Sequence, residues 1–268
     1  MKLTILGCGP STGVPIIGCE CKTCSSGKPY NKRLRTSALI SDRDTSILID
    51  SGPDIRQQAL THNINKVAGI IYTHAHADHI NGIDDTQKLQ SSSGQINCIP
   101  VYADEYTGGI LQLRSPYLFD EIINGKEWYK SFLYMQTIQN YQEFKLSGVS
   151  VLPFPQKHGA ITSLGLIFNQ KIAYCTDVKE LPNQAYDLLY NIELLVIEAL
   201  GYQETAAHAH LDLTLKWIER IKPKLALLTH MGHIIEYDET SSFVNAYVTK
   251  NKLSTEIILS HDGLCIEI

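Results

Sequence analysis

The chain has 268 residues, 44% of them hydrophobic, which is enough apolar surface to build a sizeable core. Its net charge is −5 and its pI is near 6.0, so the composition lacks the overall basic character of nucleic-acid binding proteins. The sequence contains no window near the ~18 apolar residues of a membrane span, and its N-terminal apolar run is too short for a signal peptide. We therefore expect a cytoplasmic protein, with no membrane partner and with nucleic acid disfavoured.

Short runs rich in Ile, Leu, Val and Tyr predict strands at residues 2–6, 37–41, 46–50, 68–73, 100–103, 149–154, 165–168, 171–176, 193–198, 225–229 and 256–260. Helical patterns occupy residues 53–63, 81–90, 211–223 and 240–251. Asp212 is a candidate N-cap of the third helix, and Pro223 ends it. Strands that neighbour each other and strands that alternate with helices together predict a layered α/β or α+β fold in a single domain, residues 1–268.

Residues 105–145 stand apart because they hold nine of the 22 aromatic side chains. Their composition predicts an inserted helical subdomain with its own small core. The alternative is a lid or an oligomer surface. The oligomeric state stays open, with a homodimer as one possibility.

A dense cysteine cluster, "GCECKTC", supplies Cys19, Cys21 and Cys24. Thiols stay reduced in the cytoplasm, so a tight cluster of this kind indicates a metal site rather than a set of disulfides.

A second cluster, "THAHADH", supplies His74, His76, Asp78 and His79 directly after a predicted strand. Imidazole and carboxylate groups are good ligands for zinc and other first-row metals. Three further residues follow predicted strands in the same way, namely His158, Asp177 and His230. Because neighbouring strands end on the same edge of a sheet, these side chains can converge on a shared site.

These histidines and aspartates, at these separations, resemble the metallo-β-lactamase fold superfamily over nearly the whole chain. The resemblance implies a four-layer αββα sandwich with two divalent metal ions, for which the ligand types suit Zn, Mn or Fe. One ion would take His74, His76 and His158. The other would take Asp78, His79 and His230, with Asp177 bridging. Asp50, in "ILIDSGPD", would support the loop that carries His74 to His79 without being a metal ligand itself.

The N-terminal stretches "GCGPSTGVPIIGCECKTC" and "NKRLRTSALI" are similar to the superfamily's phosphodiesterase branch, typified by the phosphoribosyl 1,2-cyclic phosphate phosphodiesterases of the carbon–phosphorus lyase pathway. In that branch three cysteines and one histidine hold a structural zinc. Three thiolates leave a tetrahedral zinc one ligand short. The histidines that remain to supply it are His62, His208, His210, His233 and His261. The family pattern selects His233, three residues after His230 in "THMGH".

The same resemblance suggests catalytic roles. In "AAHAHLDL", His210 takes the position of the general acid, and His208 is the alternate. Asp78 is counted with them, and Arg35 or Ser37 is expected to assist substrate binding. The implied reaction is hydrolysis of a small phosphodiester, including a cyclic one, by a metal-bridging hydroxide. Alternatives are a tRNA 3′-processing-type nuclease, a thioesterase or lactonase, and a non-catalytic metal-binding or sensory protein.

Overall fold

The structure is a computed structural model that describes residues 1–91, 98–119, 122–123, 126–127 and 131–268. Its first sheet contains β1 (Lys2–Gly7), β2 (Ser37–Asp42), β3 (Thr45–Ile49), β5 (Gly69–Ile71), β7 (Ile99–Ala103), β10 (Leu133–Thr137) and β18 (Cys265–Glu267). They are ordered β10-β7-β5-β3-β2-β1-β18. Strands β3, β5, β7 and β10 run parallel to one another. The residues that follow β3 and β5 therefore lie on the same edge.

The second sheet contains β11 (Phe144–Leu146), β12 (Val149–His158), β13 (Ile161–Phe168), β14 (Ile172–Cys175), β15 (Leu194–Glu198), β16 (Leu225–Thr229) and β17 (Glu256–Leu259), hydrogen-bonded in that order. Strands β14 to β17 are parallel. Strand β12 runs in the same direction, since β13 is antiparallel to both β12 and β14. The carboxyl ends of β12, β14, β15 and β16 consequently share one edge.

Smaller elements complete the fold. Two pairs of short strands are β4 (Lys66–Val67) with β6 (Gln90–Ser91), and β8 (Ile122–Ile123) with β9 (Lys126–Glu127). The helices are α1 (Ile55–Thr61), α2 (Ala77–Ile80), α3 (Ile83–Thr86), α4 (Glu105–Arg114), α5 (Pro116–Phe119), α6 (Asn183–Leu189), α7 (Leu211–Ile221) and α8 (Tyr237–Asn251), with a 3₁₀ turn at Pro29–Asn31.

The two sheets bury their facing sides in one core. In β3, Ile47 and Ile49 pack in this shared core, whereas Leu48 packs in a second cluster with residues of α1, α3, α4 and α5. This division follows from the period of two along a strand. Strand β15 is buried along its whole length. Its other face is covered by α6 and α7, so the layers run helix, sheet, sheet, helix, as the sequence predicts.

Helix α7 shows how one sequence pattern fixes this packing. Its buried positions include Leu211, Leu215, Ile218 and Ile221, which recur every three to four residues and form one apolar face. The helix ends at Lys222, in the left-handed conformation just before Pro223.

Helix boundaries differ from the predictions in three places. Helix α7 is capped by His210 rather than Asp212, which lies inside its first turn. Helix α8 begins at Tyr237, before the predicted residue 240, because the Glu236 side chain accepts a hydrogen bond from the Glu239 backbone N–H. The pattern at 81–90 yields only the short α3.

The described part of residues 105–145 corrects the expectation of a separate helical subdomain. Strand β10 pairs with β7 in the first sheet, and β11 opens the second. Leu111 and Leu118 pack in the same cluster as Leu48 rather than in a core of their own. Trp128 and Tyr129 lie outside the described residues. Within the described part of the chain, no helix combines the length and apolar character needed to cross a membrane.

Candidate metal centre

On the first sheet, two strand ends position the histidine-rich loop. Asp50 follows β3 with a positive φ of 58° and is fully buried. One of its carboxylate oxygens accepts from the Thr73 backbone N–H at 2.8 Å, and the other lies 2.7 Å from His79 Nδ1. Burial raises the pKa of Asp50, while His79 and Thr73 oppose that shift. The residue therefore braces the loop, in agreement with the role that the family resemblance implies.

On the second sheet, three strand ends present side chains to the same place. His158 ends β12, Asp177 follows β14 and His230 follows β16. Asp177 and His230 have positive φ angles of 52° and 54°. Such a backbone costs a non-glycine residue about 1 kcal/mol or more, and functional sites are where such strain accumulates.

The two predicted ligand sets meet at Asp177. The ligand atoms of His74, His76, His158 and Asp177 lie within 4.8 Å of one another, and so do those of Asp78, His79, Asp177 and His230. One oxygen of Asp177 faces each set. Oδ1 lies 3.6 Å from His158 Nε2, and Oδ2 lies 3.1 Å from His79 Nε2. We call these seven residues the histidine–aspartate centre.

Most rings of this centre are held from behind through Nδ1. The contacts are His74 with Thr73 Oγ1 at 3.0 Å, His79 with Asp50 at 2.7 Å, His158 with the Ala207 carbonyl at 2.8 Å and His230 with Glu198 at 2.8 Å. Nε2 is thereby left to face Asp177. In three of these rings, those of His74, His79 and His230, Nε2 is buried without a hydrogen-bond partner in the described structure. Such orphaned nitrogens fit metal ligands.

Charge leads to the same conclusion. The carboxylates of Asp78, Asp177 and Glu198 converge in a buried space. Burial lowers the pKa of His230, but Asp177, Asp78 and Glu198 outweigh it and raise that pKa to about 10. Burial likewise raises the pKa of Asp177, but His230 and His79 hold it well below its usual range. The buried carboxylates thus favour positive charge in the centre, which protonated histidines or bound divalent cations would supply.

Glu198 is a site residue that the sequence interpretation missed. It ends β15 and is fully buried. Its Oε1 lies 2.6 Å from His208 Nδ1, and its Oε2 accepts from the Val178 backbone N–H at 2.7 Å. A signal was present, since "ELLVIE" ends a buried strand with an acid just as "KIAYCTD" does.

The structure brings His208 beside the centre. The ring centroid of His208 lies 4.7 Å from that of His158 and 5.1 Å from that of His230. His208 Nδ1 also lies 3.8 Å from Asp177 Oδ1. His210 is the N-cap residue of α7. A cavity, described below, adjoins the centre, and His210 is not among the described residues that line it.

The structure gives Arg35 and Ser37 other contacts. Arg35 Nη1 pairs with Asp54 at 2.9 Å, and its Nε donates to the Ser11 carbonyl at 2.9 Å. Ser37 is fully buried and donates to the Ile49 carbonyl at 2.9 Å. Neither is among the described residues that line the cavity: Arg35 braces the N-terminal loop through Ser11, and Ser37 supports the turn after β3.

The second group of candidate ligands is Cys19, Cys21, Cys24 and His233, which we call the cysteine site. Their ligand atoms all lie within 4.8 Å of one another. His233 Nδ1 is 3.3 Å from Cys19 Sγ and 3.4 Å from Cys21 Sγ. Tetrahedral zinc places its ligand atoms about 3.5 Å apart, given bonds of about 2.3 Å to sulfur and 2.0 Å to nitrogen. The four side chains therefore fit zinc.

The thiols of the cysteine site also differ in acidity. The Cys24 backbone N–H lowers the pKa of Cys21 to about 6. Burial raises the pKa of Cys24 to about 11. All seven cysteines of the chain, which lie within the described residues, are free thiols.

A cavity of about 330 Å³ opens next to both groups. His208 and His230 lie at one side of it, and His233 lies at another. Its remaining described walls come from the loop at residues 10–16, from residues 200–205, and from Gly232 and Ile234 beside His233. The cavity is therefore where a small molecule can reach the histidine–aspartate centre.

Comparisons with known proteins agree with this geometry. The family model described as "Beta-lactamase superfamily domain" matches residues 45–231. Among solved structures, one titled as a new diphosphatase from the PhnP family has a TM-score of 0.86 and 34% identity, covering 100% of this chain and 96% of its own. The Zn(2+)-bound PqqB from Methylobacterium extorquens has a TM-score of 0.77 and 18% identity, covering 100% of both chains, and shows a likeness of fold alone.

One curated relative is named "Octanoyltransferase", from Porphyromonas gingivalis. It is 32% identical over 237 residues, which cover 87% of this chain and 46% of that protein. The chain thus spans less than half the length of this relative.

Proposed function

The chain belongs to the beta-lactamase superfamily, and from this premise we propose that it is a hydrolase of small phosphodiesters. The observation that carries the proposal is the double ligand set joined at Asp177, one carboxylate oxygen to each set. Two divalent ions held there would lower the pKa of a water and stabilise the charge on the phosphoryl oxygens. Zn and Mn both suit the mixed nitrogen and oxygen ligands.

The chain's own residues would prepare and complete the reaction. Asp50 and Glu198 contact Nδ1 of His79 and His230, so that Nε2 of each ring points towards Asp177 in the centre. Glu198 also accepts from Nδ1 of His208, which leaves His208 Nε2 to carry a proton towards the substrate. In hydrolysis the oxygen of one water bonds to phosphorus and that water releases a proton to solvent, while the bond from phosphorus to the ester oxygen breaks and protonated His208 gives its Nε2 proton to that leaving oxygen.

We assign the general acid to His208 because of its position. Proton transfer requires hydrogen-bond reach of the leaving oxygen, either directly or through one water. His208 lines the cavity and lies 3.8 Å from Asp177, whereas His210, the N-cap residue of α7, is not among the described residues that line the cavity. The PhnP-family relative, titled a diphosphatase, supports cleavage of a phosphorus–oxygen bond.

The test uses purified protein supplied with Zn or Mn. It should hydrolyse bis-p-nitrophenyl phosphate or a ribose cyclic phosphate, and the His208→Asn variant should lose most of this activity. A diphosphate ester, an octanoyl thioester, a lactone and a precursor tRNA are assayed beside them. Turnover of the thioester or the lactone without turnover of any phosphate ester would overturn the proposal.

A further inference from the structure

We propose that the cavity beside His208 binds the ester group of the substrate, and that this group is an uncharged nucleoside stacked on Tyr202. This inference rests on the proposed function, because it identifies the substrate class of the same site. The substrate class depends on the residues of the cavity wall that are not candidate metal ligands.

The first step is the charge of the lining. Among the described residues, no Lys, Arg, Asp or Glu lines this cavity, and its only titratable side chains besides a tyrosine are histidines. A second phosphate on the substrate would therefore find no cation outside the metal centre. The part of the substrate that lies away from the reacting phosphorus is thus expected to carry no charge.

The second step is the aromatic surface. Tyr202 lines the cavity and is 42% exposed. Its hydroxyl lies 2.6 Å from Thr240 Oγ1, which fixes the ring against α8. Its neighbour Gly201 is held by a hydrogen bond from the Leu211 backbone N–H at 2.8 Å. A fixed, half-exposed aromatic ring in a ligand cavity is suited to stacking against a flat ring.

The third step is the size and polarity of the remaining walls. Ile16 and Ile234 line the cavity with apolar surface, whereas Ser11 and Thr12 add hydroxyl groups. This mixture suits a ring that has apolar faces and polar edges, such as a base joined to a sugar. A volume of about 330 Å³ lies at the lower end of the range for small-molecule sites, which fits one nucleoside.

The experiment compares two ligands of equal phosphate charge, adenosine 5′-monophosphate and methyl phosphate. Their dissociation constants are measured by titration calorimetry with the metal-loaded protein, so the readout does not depend on turnover. We expect adenosine monophosphate to bind at least about tenfold more tightly, and adenosine diphosphate to gain nothing further.

The variants locate the effect on the ring. Tyr202→Ala should weaken adenosine monophosphate binding about tenfold and leave methyl phosphate binding unchanged. Tyr202→Phe keeps the ring and should retain most of the affinity. Tyr106→Ala, which removes a tyrosine that is 65% exposed on α4, is the matched control and should change neither constant.

The possible results separate the two proposals. Equal affinities for the two monophosphates, or a Tyr202→Ala variant that binds both as the wild type does, would overturn the nucleoside assignment even if phosphodiesters are hydrolysed. Tyr202-dependent nucleotide binding without turnover of any phosphate ester would support the nucleoside site and defeat the proposed reaction.

Discussion

The two ligand groups of this molecule use different chemistry within a short distance of sequence. His230 belongs to the histidine–aspartate centre, and His233, three residues later, belongs to the cysteine site. The first group is made of nitrogen and oxygen ligands that are buried except for His76, and most of its rings are held from behind. The second is made of three thiols and one imidazole, partly exposed, with no carboxylate.

The difference in ligand type and surroundings indicates a different role for each site. Four ligands from Cys and His satisfy a tetrahedral zinc completely and leave no position for substrate. The histidine–aspartate centre shares one carboxylate between two ligand sets and adjoins a cavity. The cysteine site therefore ties the N-terminal loop to the segment after β16, and the centre is where chemistry can occur.

The largest expected effect comes from Asp177→Ala. This change removes the carboxylate shared by both ligand sets, so kcat/KM for bis-p-nitrophenyl phosphate should fall about 10⁴-fold, which corresponds to about 5.5 kcal/mol in total. Elemental analysis should show that the cysteine site keeps its zinc. Asp187→Ala, on the exposed face of α6, is the control. Loss of metal from both sites together would show that they are not separate.

The next effect distinguishes two histidines. His208→Asn should lower kcat about 10²- to 10³-fold because it removes the proton donor. His210→Asn should stay within about threefold of wild type, since Asn is a good N-cap for α7. The reverse order would return the general acid to His210. Single-turnover kinetics at fixed metal occupancy separates this loss from a loss of metal.

A smaller effect is expected for Glu198→Gln. The change keeps the shape of the side chain but weakens its hold on Nδ1 of His208 and His230, which should lower metal affinity or activity about 10- to 100-fold. Metal titration followed by activity measurement tests this. Glu193→Gln, which affects two surface ion pairs, with Lys171 and Lys224, serves as the control. If the metal titration of Glu198→Gln matched that of the wild type, Glu198 would be a buried structural residue without a role in metal binding.

The smallest effect on catalysis is expected for Cys21→Ser. Removing one thiolate should release about one zinc per chain and lower the thermal midpoint, because that ion links segments more than 200 residues apart. Activity towards bis-p-nitrophenyl phosphate should stay within about threefold. Cys265→Ser, at an exposed thiol, is the control. An activity loss as large as that of Asp177→Ala would mean that the two groups act as one site.

Sequence reasoning was most successful where ligands are local or follow strands. "THAHADH" places four ligands in one turn, and Asp177 and His230 each follow an apolar run. Reasoning failed for residues 105–145, where aromatic content indicated a separate subdomain. In the described part of this segment, β10 instead extends the first sheet, Tyr117, Phe119 and Phe132 pack against its outer cluster, and Tyr141 and Phe144 pack against the core between the sheets. Composition predicts that apolar side chains will be buried, but it does not predict which part of the protein they will pack against.

The sequence by itself determined the fold class and the residue types gathered at the strand ends, because periodicity and ligand chemistry are local properties of the chain. Only the tertiary structure showed that Glu198, from another strand, contacts the ring of His208, which is the basis for proposing His208 rather than His210 as the general acid. It also revealed Glu198 and withdrew Ser37 into the interior. Contacts between distant strands, which no local pattern contains, fix these outcomes.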